Sequence, residues 1–174
     1  VSPSASAYNY LLCGIGASVC ALPLAQVGET LRPLPIEPLV GLPAFVRGVA
    51  IIRGSATPVL DASRLIGAQL QSESERFVTL KLGARVAALA VGSVLGVRAL
   101  PRAEQELPPL LREVADEAVR ALGRLDGQLL WVLEGARLVP DGVWQAVEAH
   151  AATHAPRLDP QGYASEHDGP RRRV

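Results

Sequence analysis

The stretch PAFVRGVAIIRGSATPVLD at residues 43–61 reads as a β-hairpin carrying an arginine near its tip. Val49, Ile51 and Ile52 make a strand rich in β-branched residues, Gly54-Ser55 supplies a two-residue turn with glycine first, and Thr57, Val59 and Leu60 make the return strand. Arg53 is left at the end of the hairpin. Its guanidinium does not deprotonate near neutral pH, so it suits fixing a carboxylate or gripping a partner better than acid-base chemistry. The hairpin points to a binding module.

Working outward, the same grammar recurs. Arg76–Leu82 alternates apolar and polar residues, turns at Gly83-Ala84 and returns through Arg85–Val91, which is apolar enough for burial on both faces. Residues 94–100 are another strand candidate. Val119–Leu125, the turn Asp126-Gly127 and Gln128–Leu133 form a further hairpin, because Asp-Gly is among the strongest short hairpin signals. Upstream, residues 10–15 and 18–22 pair across a turn at Gly16-Ala17, which sets Cys13 opposite Cys20. Two reduced, half-buried thiols are expected there, although a cross-strand disulfide is geometrically conceivable.

Helix is sparse. Leu24, Val27 and Leu31 have helical spacing, which predicts a short helix over residues 24–30 between Pro23 and Pro33, with Glu29 near its end. A charge in that otherwise apolar setting calls for a partner, and Arg53 is a candidate by type. Prolines 33, 35, 38 and 43 keep the next segment irregular. One helical turn is expected at residues 63–67, another at residues 134–138, and an amphipathic helix at residues 143–153 with Trp144 and Val147 on one side. Residues 69–75 read as a polar connector, residues 101–109 as a charged loop, and residues 151–174 as a disordered tail after a domain spanning residues 8–150. Many short strands with little helix imply a barrel or sandwich.

Composition narrows the function. Lys+Arg and Asp+Glu are 17 each, and aromatic residues make up 4% of the 174 residues, so neither a basic face nor stacking platforms favour nucleic acid. No apolar run approaches the roughly 20 residues that span a bilayer, and no secretory signal is visible, which makes the cytoplasm the expected location. Gly14-Ile15-Gly16 lacks the third glycine of a dinucleotide loop, since Val19 stands there. Gly92-Ser93-Val94-Leu95-Gly96 has its serine in the wrong place for a nucleophile elbow. His150 and His154 are spaced i, i+4, yet no carboxylate or cysteine motif in the sequence converges on them, so no metal is expected. The glutamates at 73, 75, 104 and 106 sit in polar connectors where solvation is their expected state.

Taken in order, several segments resemble the CheW-like coupling proteins of bacterial chemosensory systems. They are Ala21-Leu22-Pro23-Leu24, Val27 with Glu29 and Leu31, the run from Pro43 to Val49, Ile52-Arg53-Gly54, and Thr57-Pro58-Val59-Leu60-Asp61. Gly83 with Arg85, Ala90-Val91 with Val94, and Leu125-Asp126-Gly127 extend the match over residues 8–140. The resemblance implies a mostly β fold of two intertwined five-stranded SH3-like β-barrels, no catalytic activity and no cofactor. It implies an adaptor that bridges the cytoplasmic tip of chemoreceptors to the regulatory domain of a CheA-type histidine kinase, meeting the membrane only through those receptors. An accessory protein of a variant pathway, binding only the kinase or only the receptor, is the alternative. By the same resemblance Glu29 and Arg53 form a facing charged pair beside the partner-binding surface, with Gly54 at the tip and Val46, Arg47, Val49 and Thr57 flanking it, while Val49, Ile51 and Val59 build the barrel wall behind it. Two departures stand out: Gly92 where the family commonly has an acidic residue, and Glu134 where it often has aspartate.

Overall fold

Alternating apolar residues and turn dipeptides translate into strands over most of the chain. The computed structural model describes residues 7–67, 76–101, 119–135 and 138–154. Among these lie β1 (Ala7–Ile15), β2 (Ser18–Pro23), β3 (Val27–Leu31), β4 (Val46–Ile52), β5 (Ser55–Asp61), β6 (Arg76–Leu82), β7 (Arg85–Val91), β8 (Ser93–Pro101), β9 (Val119–Leu125) and β10 (Gln128–Leu133). Two helices join them, α1 (Ala62–Leu65) and α2 (Asp141–His154). The expected polar connector at 69–75, the charged loop at 101–109 beyond Pro101, part of the turn at 134–138 and the expected tail from residue 155 onward lie outside the described residues, whereas residues 151–154, expected to open that tail, belong to α2.

The strands form two five-stranded sheets, ordered β8-β1-β2-β10-β9 and β3-β6-β7-β5-β4. Both follow one plan. A hairpin, β1 with β2 or β6 with β7, is joined through a parallel pairing to a second hairpin, β10 with β9 or β5 with β4. The chain starts in the first sheet, builds all of the second from β3 to β7, and returns to the first with β8 to β10. This is the intertwined pair of five-stranded units that the resemblance implies.

The two sheets share a core. One buried cluster draws Leu11, Cys13, Cys20 and Leu22 from the first sheet, Leu60, Val78 and Leu89 from the second, and Val143, Trp144 and Val147 from α2. Burial on both faces explains why β7 is apolar from Ala87 to Val91. Its first two residues are exposed, so the strand's opening does not share that burial. Cys13 and Cys20 do pair across β1 and β2, fully buried and unlinked. The Cys20 thiol is pushed up by its hydrogen bond with Cys13 and by burial, which suppresses its thiolate.

Three local expectations change. Residues 24–30 are not a helix: a single 3-10 turn at Leu24–Gln26 gives way to β3, which pairs with β6. Val27, Glu29 and Leu31 also fit a two-residue period, and all three are half-buried between exposed Gly28 and Thr30. Cross-strand pairing, unavailable to any local reading, decides between the two periods. The 43–61 hairpin turns at Arg53-Gly54, one residue earlier than expected. Ile51 points outward, 63% exposed, and does not line the barrel wall.

Candidate functional site

Glu29 reaches the surface from β3 at an irregular pairing with β6, where the register shifts between Val27 and Thr30. The Thr79 hydroxyl holds that irregularity. It accepts from the Glu29 backbone N–H at 2.8 Å and donates to the Glu29 carbonyl at 3.3 Å. Gly28 leaves room for this, because a Cβ there would meet Thr79 Oγ1 at 2.5 Å. The Glu29 backbone is thereby fixed before its side chain makes any contact.

Arg53 arrives from the other side at the β4-β5 turn. Arg53 and Gly54 have φ of 49° and 78°, the two left-handed residues of a type I′ hairpin turn. That turn matches the right-handed twist of the flanking strands, whereas a turn one residue later would displace the β4-β5 register. An arginine in this conformation is uncommon, which is why the turn escapes a reading based on glycine position alone.

The two side chains meet fork to fork. Arg53 Nε donates to Glu29 Oε1 at 2.7 Å and Nη2 donates to Oε2 at 2.6 Å. These bonds hold the Glu29 carboxyl below the usual carboxylate range and raise the guanidinium still further, so the pair is fully charged at neutral pH. Arg53 is 78% exposed and Glu29 37% exposed, so water screens the pair and its contribution to stability is small. Its value lies in orientation, because a bidentate pair fixes where the guanidinium plane faces.

Beside the pair runs an open groove of about 410 Å³, between the β4-β5 hairpin and the β6-β7 hairpin. Buried Ile52, Thr57 and Thr79 contribute to its lining, together with exposed Lys81 and Val86. The arrangement offers an oriented cation, a second cation and apolar surface.

Of the residues expected to form the partner surface, Glu29, Arg53 and Thr57 line this groove and Gly54 lies exposed at the hairpin tip. Thr57 is 3% exposed, its hydroxyl donating to the Ser55 carbonyl, so it supports the groove more than it reaches out. Val46 and Val49 are buried in the shared core, and Arg47 is half-buried on β4. The register of β4 shifts between Val46 and Gly48, so two valines three residues apart enter the same core. Sequence reasoning missed Thr79, Lys81 and Val86. The alternation in β6 gave a faint signal for Thr79 and Lys81 together, and none marked Val86.

A second group was also missed. Glu37, from the proline-rich loop before β4, faces His150 and His154 on α2. No sequence motif marks this carboxylate, because it comes from a distant part of the chain that the fold brings to the helix.

The CheW-like domain matches residues 9–142, which is most of the chain. The chain belongs to the CheW-like family. It is a β scaffold of the chemosensory adaptor class, and the facing pair on β3 and the β4-β5 tip belongs to a CheW-like domain. Among curated proteins it is 32% identical over 116 residues to Protein FrzA of Myxococcus xanthus, covering 65% of this chain and 72% of that one. It is 29% identical over 100 residues to Protein PilI of Pseudomonas aeruginosa, covering 55% and 56% respectively. Among solved structures, the scaffolding protein TtCheW from Thermoanaerobacter tengcongensis matches with a TM-score of 0.62 at 19% identity, over 74% of this chain and 90% of that one. At that identity the likeness concerns the fold, which it bears out. Among the described residues, no helix is long and apolar enough to cross a membrane.

Proposed function

We propose that this CheW-like chain is a non-enzymatic adaptor coupling the cytoplasmic tip of chemoreceptors to the regulatory domain of a CheA-type histidine kinase, docking a partner at the groove beside Glu29 and Arg53. The observation that carries the docking site is the bidentate Arg53-Glu29 pair at the lip of an open, partly apolar groove. A fixed guanidinium beside exposed apolar surface matches the composition of protein-binding hot spots, where arginine anchors are enriched. Family membership supports the partner class. Its place is the cytoplasm, alongside receptor arrays that provide its link to the membrane.

The test is to measure binding of a receptor-tip fragment and of the kinase regulatory domain separately, using wild type, Glu29→Ala and Arg53→Ala, with thermal melting as a check on folding. Folded variants that bind at least one partner about tenfold or more weakly are the expected result. Wild-type affinity for both partners in both variants would remove the groove from the proposal. A wild-type chain that binds only the kinase or only the receptor would replace the coupling role with the accessory one.

A further inference from the structure

We infer that Glu37, His150 and His154 form a binding site for a divalent transition-metal ion of the zinc class, clasping α2 to the loop that precedes β4. His150 Nε2 lies 3.2 Å from Glu37 Oε2, and His154 Nε2 lies 3.9 Å from Glu37 Oε1. All three ligand atoms fall within 4.8 Å of one another. Tetrahedral zinc with bonds of 2.0–2.1 Å sets its ligands about 3.3 Å apart, so one ion fits among these atoms with a small adjustment of the exposed His154 and Glu37 side chains. Two imidazoles with one carboxylate is a donor set that zinc accepts.

The surroundings hold these donors in place. His150 and His154 sit one turn apart on α2, their rings stacked with centroids 4.1 Å apart. His154 Nδ1 lies 3.0 Å from the His150 carbonyl, which can only accept a hydrogen bond, so Nδ1 carries the hydrogen and Nε2, on the side of Glu37, keeps the lone pair that a metal ion needs. This is the outer-sphere bond that metal-ligating histidines ordinarily make. The helix itself is fixed by buried Val143, Trp144 and Val147, and by Arg85, which lies over the Trp144 ring and reaches Glu148 at 3.3 Å.

Glu37 is equally constrained. Its N–H donates to the Val49 carbonyl and its carbonyl accepts from the Val49 N–H, both at 2.8 Å. Gly48 permits this approach, since its φ is 139° and a Cβ there would strike the Glu37 carbonyl. An otherwise irregular proline-rich loop is therefore pinned where it offers its carboxylate. Three protein ligands leave a fourth position open for water. By closing a contact between α2 and the loop, the ion stabilises the folded chain through mass action.

The test uses the full chain, free of any polyhistidine tag, titrated with Zn²⁺ alone by calorimetry, with the thermal midpoint measured in parallel. Saturation at one ion per chain and a raised midpoint are expected. His154→Gln and Glu37→Gln, both at exposed side chains, should keep the metal-free midpoint and weaken Zn²⁺ binding about tenfold or more, while His167→Gln binds as wild type does. Absence of binding to wild type would overturn the site, leaving only a histidine-carboxylate ion pair. Binding that survives both Glu37→Gln and His154→Gln would overturn it as well, because the ion would then sit elsewhere.

Discussion

The two sheets solve the same closure problem with opposite charges. In the second sheet, edge strand β3 supplies Glu29 to meet Arg53 at the β4-β5 tip; in the first, edge strand β8 supplies Arg98 to meet Asp126 at the β9-β10 tip. Both tips are type I′ turns whose first residue is charged, with φ of 49° at Arg53 and at Asp126, followed by glycine. The bonding differs. Arg53 grips Glu29 through two nitrogens at 2.6 and 2.7 Å, whereas Arg98 Nη1 reaches Asp126 at 3.1 Å, and the hollow beside that pair is about 190 Å³ against about 410 Å³. Pairing across the tip therefore belongs to the shared architecture. What distinguishes the second sheet is an arginine held by two hydrogen bonds to one carboxylate beside a larger groove.

The strongest way to break the comparison is to ask whether the sheets are separable at all. Leu22 of β2 and Leu89 of β7 are buried in one cluster, so Leu22→Ala and Leu89→Ala should each cost about 2–5 kcal/mol and lower a single unfolding transition. Two transitions in denaturant titrations would show that the sheets fold independently. The next effect is on partner binding. Arg53→Asn retains a residue that tolerates the left-handed turn and should weaken partner binding about tenfold, while Arg98→Gln in the matching pair leaves it unchanged. Equal losses in the two variants would mean that closure, and not the Arg53 surface, is what matters.

The smallest effect is acid sensitivity. Glu29 has a folded-state pKa below its ordinary value of 4.5, so its pairing contributes fully above that value and is lost as the pH falls through the lowered one. Thermal midpoints of wild type and Glu29→Gln should accordingly differ near neutral pH and converge below pH 4.5, with the difference shrinking in high salt. A gap that widens in acid would show that the carboxylate is not held by Arg53.

Much of this architecture is visible in the residues. Gly83-Ala84 and Asp126-Gly127 mark their turns directly, and alternation or apolar runs locate the strands on either side. The failures occur where local rules tie. Val27 and Leu31 satisfy both helical and extended spacing, and only pairing with β6 settles them as strand. Arg53 hides its own turn, since a left-handed arginine carries no signal until both strand registers are known. Glu29 and Arg53 were joined as a candidate by charge, with the family resemblance sharpening the pairing. Glu37 could not be joined to His150 and His154 by any short-range rule, because the contact depends on α2 packing back across the sheet.

The most direct test of the docking site exchanges the pair for the polarity found in the first sheet. Glu29→Arg and Arg53→Glu, alone and together, are measured for thermal stability and for binding to the receptor tip and the kinase regulatory domain. Each single change should lower stability and binding, and the double change should recover the stability while binding stays at least about tenfold weaker than wild type, because the guanidinium has moved from the tip to the strand. Wild-type binding by the double variant would contradict a docking role for Arg53.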